Sequence, residues 1–258
     1  MSTPIVDVET RGAVAIVTLN RPGLSNTLNV QMGMDLLAAA MTCARNPAVR
    51  AVVLTGAGDN FCFGGDLRGM ISKGQAESYI RELTSYLHAA ISLFVRMDPP
   101  VIAAIRGTVA GGGVGLAAMA DLAIAGEHAK FNLAYTAVGL TPDCGTSFLL
   151  PRAVGVRRTM ELMLLNRALS AQEALNWGLV NRVVADAKVL DEALAIAAQL
   201  ASGPTHAYGK VKRLIAQSLG AFESQMVLEA ETIASQAASP EGAEGINAFL
   251  EKRRPVYP

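Results

Sequence analysis

The chain reads Phe61-Cys62-Phe63-Gly64-Gly65-Asp66-Leu67 after the apolar run 51–55, and Arg106-Gly107-Thr108-Val109-Ala110-Gly111-Gly112-Gly113-Val114-Gly115 after the apolar run 101–105. Each apolar run is typical of a buried strand, and the second glycine turn also precedes a helix-like run over 114–119. Because glycine has no side chain, backbone N–H groups in such turns can point into a cleft. Two converging N–H groups form an oxyanion hole, which stabilises a carbonyl that becomes an enolate. The pair of turns therefore predicts a site for acyl chemistry.

Each turn taken alone has simpler explanations. A glycine cluster after a strand is more often a tight turn or a close helix contact than a catalytic feature. The run Gly111-Gly112-Gly113 also invites comparison with a dinucleotide-binding loop. No G-x-G-x-x-G pattern is complete, however, and no acidic residue ends a following strand at the usual distance. The specific feature is the ordered pair of turns with its flanking motifs.

The flanking motifs extend over nearly the whole chain. They are Asn20-Arg21-Pro22 and Leu28-Asn29 before the first turn, and the segments 121–126, 139–152 and 244–253 after the second. With these motifs in this order, the chain resembles the crotonase (enoyl-CoA hydratase/isomerase) superfamily. The resemblance implies an α/β protein with the crotonase (ClpP-like) spiral of repeated strand–strand–helix units. It also implies an acyl-CoA substrate whose thioester oxygen binds the N–H groups of Gly65 and Gly112.

The domain organisation follows from where strands give way to helices. We expect residues 1–203 to form the spiral core with the acyl-CoA site, and residues 204–258 to form a C-terminal helical region. Apolar residues at helical spacing predict core helices over 30–45 and 77–97, and C-terminal helices over 206–219, 222–238 and 241–252. In crotonase relatives this last region packs trimers, which implies a homotrimer or a hexamer. The alternative is a helical cap that folds back on its own core.

The composition of the chain indicates which classes of binding partner and cofactor to expect. The 258 residues are 51% hydrophobic and 17% charged, with a formal net charge of zero, so the sequence favours a large core and predicts neither a nucleic-acid nor a membrane partner. The three cysteines, Cys43, Cys62 and Cys144, have no metal or disulfide spacing. The N-terminus carries early charges and no apolar export signal. We therefore expect a cytoplasmic enzyme without a metal, and without a cofactor other than the coenzyme A of its substrate.

Two acids that the resemblance would lead one to expect are missing. Hydratases of this superfamily hold two glutamates over the substrate, which activate a water and protonate the neighbouring carbon. The matching positions in this chain are Gly115 and Tyr135, and neither can act as a carboxylate. Because adding water to a double bond needs such a base, the sequence argues against ordinary hydratase activity. Tyr135 is expected either to hydrogen-bond the substrate or to fill the space of the lost acid.

One acid remains well placed for a different reaction. Asp143 lies before an apolar helix-like run, where 1,2-epoxyphenylacetyl-CoA isomerases and Δ3,Δ2-enoyl-CoA isomerases carry their acid. The motif Pro142-Asp143-Cys144-Gly145, followed by 149–152, is most similar to the epoxyphenylacetyl-CoA group. A single carboxylate suffices for a 1,3-proton shift. The alternative is that Asp143 caps the following helix, since aspartate after proline commonly begins one.

The remaining site residues are candidates for contact with coenzyme A. The resemblance implies that Arg21 faces the phosphates of coenzyme A. Arg68 and Lys73 after the first turn and Lys252 near the C-terminus are further basic candidates, and Phe63 is a candidate contact of the substrate. Cations suit the phosphates, and an apolar slot suits the pantetheine chain. The histidines His88, His128 and His206 lack ligand spacing, so core or solvent roles are expected for them.

The sequence thus predicts an acyl-CoA-processing enzyme that isomerises an unsaturated or ring-activated acyl-CoA with Asp143 as base. Two alternatives stay open. One is an enoyl-CoA hydratase or lyase with a non-standard acid, and the other is a non-catalytic acyl-CoA-binding subunit that kept the pocket.

Overall fold

A computed structural model of the chain describes residues 4–71, 76–218 and 222–256. Its strands are β1 (Val6–Arg11), β2 (Val14–Leu19), β3 (Ala51–Gly56), β4 (Val101–Ile105), β5 (Thr108–Ala110), β6 (Leu122–Gly126), β7 (Lys130–Asn132), β8 (Leu169–Ser170) and β9 (Arg182–Val184). Its α-helices are α1 (Val30–Arg45), α2 (Leu67–Ile71), α3 (Ala76–Arg96), α4 (Gly112–Ala118), α5 (Thr146–Val154), α6 (Val156–Leu165), α7 (Ala171–Trp177), α8 (Val189–Ala201), α9 (Thr205–Ser218), α10 (Phe222–Ala237) and α11 (Pro240–Leu250).

The strands form two sheets. The larger sheet has the order β1-β2-β3-β4-β6-β9, and all its pairs are parallel except the β1–β2 hairpin. The smaller sheet has the order β5-β7-β8. Strands of the larger sheet are followed by helices or turns at their carboxyl ends, and both glycine turns leave the sheet at this edge.

The central strands are buried on both faces, which explains why they are apolar without interruption. Side chains alternate between the two faces along each strand. Val53 and Ile102 pack with Ala193 and Ala197 of α8, while Leu54 belongs to the larger apolar core that includes α1 and α3. Because both faces are covered, the sheet holds its carboxyl edge rigidly under the glycine turns.

The C-terminal helices pack back onto the core of their own chain. The ammonium group of Lys212 in α9 is buried and lies 2.7 Å from the Asp121 carboxylate, just before β6. Phe222 at the start of α10 contacts Phe148 of α5, with ring centroids 5.1 Å apart. This matches the alternative of a cap that folds back, and the division of the chain at residue 204 stays a prediction. Within the described ranges, no helix combines the length and the apolar character needed to cross a bilayer.

Candidate active site

The two glycine turns meet above the carboxyl ends of β3 and β4. Cys62 and Val109 form a parallel β-bridge, in which the Ala110 N–H donates to the Cys62 carbonyl at 2.9 Å. Gly64 has φ of +77°, and a Cβ there would lie 2.7 Å from the Ala110 carbonyl oxygen. Only glycine accepts both the left-handed backbone and this close approach. Glycine at position 64 therefore allows the two turns to lie in contact.

The N–H groups of Gly65 and Gly112 have no hydrogen-bond acceptor among the described residues. The adjacent N–H groups of Asp66 and Gly111 do have acceptors: Asp66 donates to the Leu28 carbonyl at 2.8 Å, and Gly111 donates to the Asn132 carbonyl at 2.9 Å. Gly112 is the first residue of α4, so its N–H cannot be satisfied inside the helix. Both glycines line a cavity of about 740 Å³. Two unsatisfied donors thus lie on one cavity wall, as an oxyanion hole requires.

Asp143 lines the same cavity and is buried. Its carboxylate accepts a hydrogen bond of 2.6 Å from the Tyr135 hydroxyl. Burial, reinforced by the charge of Asp143, holds the pKa of Tyr135 well above its usual range, so the phenol keeps its proton and remains a donor. A Cβ built on Gly112 would lie 3.5 Å from Asp143 Oδ1. The carboxylate and the Gly112 donor therefore border the same small volume.

His88 of α3 lies beside Asp143 and Cys144, and ligand atoms of the three residues lie within 4.8 Å of one another. This cluster is explained by hydrogen bonds. The Cys144 N–H donates to His88 Nε2 at 3.2 Å, and the ring also bonds the Met226 backbone. Because an N–H can only donate, Nε2 must be the unprotonated nitrogen and its lone pair is already used. Burial lowers the pKa of His88, which keeps the ring neutral.

The helix that follows Asp143 is capped from elsewhere in the chain. Glu229 of α10 accepts the N–H of Gly145 at 2.7 Å and the N–H of Ser147 at 2.9 Å, and it also accepts the Ser147 hydroxyl. The Asp143 carboxylate accepts none of the described backbone N–H groups of α5. The alternative that Asp143 is the helix cap is therefore wrong for this structure, because Glu229 occupies that position. Burial, with the nearby charge of Asp143, raises the pKa of Glu229 to about 7.

The structure accounts for both missing glutamates. A Cβ on Gly115 would lie 2.6 Å from the Cys144 carbonyl oxygen and 2.7 Å from its Cβ, and Gly115 lies outside the cavity lining. The segment after Asp143 thus occupies the space that a side chain at 115 would need. Tyr135 lines the cavity but gives its hydroxyl to Asp143. At neither position does a carboxylate reach the cavity.

Gly115→Ala is expected to lower the free energy of unfolding by about 1–3 kcal/mol, because the new methyl overlaps the Cys144 backbone. Gly115→Glu is expected to lose stability further without gaining hydration of a 2-enoyl-CoA. Chemical denaturation and a hydration assay measure the two effects. Gly23→Ala is the matched control, since a Cβ there meets nothing within 4 Å. A stable Gly115→Glu variant that hydrates enoyl-CoA would contradict this account.

The candidate coenzyme A residues divide into two groups. Phe63, Arg68 and Lys252 line the cavity, and Arg68 and Lys252 make no ion pair with a described residue. Arg21 lies outside the lining; its guanidinium pairs with Asp66 at 2.7 Å and binds Thr27 at 2.9 Å. It therefore braces the first turn, and its contact with a phosphate stays a prediction. Lys73 falls outside the described residues.

Known proteins resemble this chain over nearly its whole length. The sequence model of a family described as enoyl-CoA hydratase/isomerase matches residues 9–258. A 4-chlorobenzoyl coenzyme A dehalogenase of Arthrobacter is 37% identical over 96% of this chain and 91% of its own. A 1,2-epoxyphenylacetyl-CoA isomerase of Escherichia coli strain K12 is 36% identical over 95% and 94%. The crystal structure of an enoyl-CoA hydratase from Mycobacterium avium subsp. paratuberculosis K-10 has a TM-score of 0.89 at 33% identity, over 98% of both chains. The α/β crotonase fold predicted from the motifs is confirmed.

Proposed function

Since the chain belongs to the enoyl-CoA hydratase/isomerase family and is an acyl-CoA-processing enzyme, we propose that it is an enoyl-CoA isomerase. It shifts a double bond, or rearranges a ring-activated acyl-CoA, with Asp143 as the base. The observation that carries the proposal is the position of Asp143 Oδ1, which lies 3.5 Å from where a Cβ on Gly112 would be. A carboxylate this close to the residue that carries an oxyanion donor, on the wall of the same cavity, can act on the carbon next to a bound thioester.

The chemistry needs one proton and no added water. The thioester oxygen binds the N–H groups of Gly65 and Gly112, Asp143 removes a proton from one substrate carbon, and the charge moves to the oxygen. Asp143 then returns the proton to a carbon two positions away, so the double bond shifts and the atoms balance. Tyr135 supports the step by donating to Oδ1, which orients the carboxylate. Donors fixed before the charge develops are what makes such a site effective.

The hydratase alternative is less well supported. The carboxylates that line the cavity among the described residues are Asp66 and Asp143. Asp66 is held by Arg21 and bonds the Gly69 N–H, so it serves the turn. Only Asp143 is left to act, whereas water addition in this superfamily uses two acids. A non-catalytic binding subunit is the remaining alternative, and it predicts ligand binding without turnover.

A second candidate is hydrolytic dehalogenation of an aryl-CoA, which the 37% identity to a dehalogenase and the position of His88 favour. Asp143 would attack the ring carbon that bears the halogen, forming a C–O bond as halide leaves. Water would then hydrolyse the resulting ester, with His88 taking the proton. His88 Nε2 must first give up its bond from the Cys144 N–H. Because isomerisation needs no such rearrangement, we rank it first.

A turnover screen distinguishes these functions. The purified protein is incubated with 2-enoyl, 3-enoyl, aryl-acetyl and 4-chlorobenzoyl CoA thioesters. An isomerase is expected to move the double bond or rearrange the ring without adding oxygen from labelled water. Hydration incorporates labelled water into the product, and dehalogenation releases chloride and labels Asp143 in a single turnover. Binding of all thioesters with no turnover would overturn the isomerase proposal in favour of a binding subunit.

We propose further that the enzyme is a cytoplasmic homotrimer or hexamer. Large apolar side chains are exposed on α6 and α9, among them Val156, Leu164, Leu165, Val211 and Leu214. Exposed apolar faces of this kind favour self-association. Light scattering tests this, and a stable monomer at micromolar concentration would contradict it. Lys252 borders the cavity of its own protomer, so its proposed coenzyme A contact needs no partner subunit.

A further inference from the structure

The turn after Asp143 is held by two helices that come from distant parts of the chain. Its four backbone N–H groups all have acceptors: Cys144 donates to His88 of α3, Gly145 and Ser147 donate to Glu229 of α10, and Thr146 donates to the Asp143 carbonyl. None of these acceptors is the Asp143 carboxylate. The side chain of Asp143 therefore lines the cavity and does not cap the helix.

The backbone of this turn is one that does not form readily by itself. Cys144 and Gly145 are consecutive residues in the left-handed region, with φ of +55° and +72°. A non-glycine residue costs about 1 kcal/mol or more in this conformation, so outside contacts must hold it. The contacts from Glu229 bear on Gly145, the second residue of this pair, and on Ser147, two residues further along. Glu229 thus acts on the segment that sets the direction of the Asp143 side chain.

We propose that Glu229 is a positioning residue for Asp143: it takes the N–H groups at the start of α5, so that the Asp143 carboxylate faces the cavity instead of capping the helix. The inference rests on the proposed role of Asp143 as the reacting carboxylate. Without Glu229, the N–H groups of Gly145 and Ser147 would lack an acceptor, and the nearest carboxylate in sequence is that of Asp143.

The cost of placing an acid here supports a role beyond a simple cap. Glu229 is only 3% exposed, and burial raises its pKa to about 7. A serine or threonine side chain caps many helices without burying a charge. Glu229 instead spans two N–H groups with its two carboxylate oxygens, and Gln225 holds Ser147 Oγ at 2.7 Å. Glu229 and Gln225 together therefore form a clamp, which holds the turn at Gly145 and at Ser147.

Glu229→Gln tests the proposal, because an amide offers one acceptor oxygen where the turn has two N–H groups. We expect kcat to fall about 10- to 100-fold, since small displacements of a reacting group have effects of this size. KM, and the affinity for a non-reactive thioether analogue of the substrate, are expected to change by less than about threefold, because the cavity wall is untouched. Glu231→Gln, an exposed neighbour on the same helix, is the matched control and should behave as wild type.

A crystal structure of Glu229→Gln is expected to show the Asp143 carboxylate turned toward the N–H groups of Gly145 or Ser147. Should that variant not fold, Gln225→Ala loosens the clamp more gently, and a selective fall in kcat of about threefold is then expected. A folded Glu229→Gln enzyme with unchanged kcat would overturn the proposal, as would equal losses of kcat and affinity. If Asp143→Asn retains full activity, the proposed function has failed, and this outcome is separate from any result at Glu229.

Discussion

Asp143→Asn is expected to lower kcat on the isomerised thioester about 1,000-fold, which is the effect of removing a general base. The asparagine Oδ1 can still accept the hydrogen bond from Tyr135, so the side chain keeps its place without its basicity. Affinity for a non-reactive thioether analogue is expected to stay within about threefold of wild type, because neither oxyanion donor is altered. Steady-state kinetics and calorimetric titration measure the two quantities.

The matched control for this variant is Asp59→Asn. Asp59 is exposed in the loop before the first glycine turn, so losing its charge should leave kcat unchanged. Comparable activity in Asp143→Asn and wild type would exclude Asp143 as the base and leave Asp66, which pairs with Arg21, as the remaining carboxylate on the described cavity wall. Parallel loss of activity and ligand affinity would mean that the substitution had disturbed the cavity rather than the chemistry.

The elements with strong local patterns were predictable from sequence. Helix α1 covers Val30–Arg45, as predicted, because the Asn29 side chain caps it by accepting the Met32 N–H and because Pro47 disfavours further helix. The central strands were also predicted within one residue, since strands buried on both faces are apolar at every position. The small sheet was not predicted; its strands β7 and β8 have three and two residues. Strands that short contain too little pattern to detect.

The residues that support the site from other helices, Glu229 and His88, were harder to predict from the sequence. Both glycine turns and Asp143 carry motifs of the superfamily, but Glu229 and His88 carry none. One indication was present: Phe222, Met226, Ile233 and Ala237 form the buried stripe of α10, and Glu229 falls on the same stripe. A glutamate on an apolar face needs a partner, because a buried charge without one is costly. Which partner it has depends on packing between elements more than eighty residues apart, and no local pattern encodes that.

Gly112→Ala is expected to lower kcat/KM at least about 100-fold while leaving the protein folded. The new Cβ would lie 3.5 Å from Asp143 Oδ1. The methyl group would therefore crowd the carboxylate of the proposed base beside the oxyanion donor, and displacements of this size between reacting groups lower rates strongly. The other contacts of this Cβ, at 3.0 Å, are the sulfur of Cys144 and a methyl group of Leu28. Both side chains are buried and must each move by a few tenths of an ångström, so the stability loss should be about 1–3 kcal/mol.

Substitutions at two other glycines provide the comparisons for this prediction. At Gly113 a Cβ would lie 2.4 Å from the Cys62 carbonyl oxygen, which is backbone in the bridge that joins the two turns. Gly113→Ala should therefore unfold more readily and lose activity only together with stability. Gly23→Ala meets nothing within 4 Å and should alter neither. Thermal denaturation beside kinetics separates the three variants. If Gly112→Ala kept its turnover, or lost it only in proportion to stability as Gly113→Ala should, the space between Asp143 and the Gly112 donor would not be where the substrate reacts.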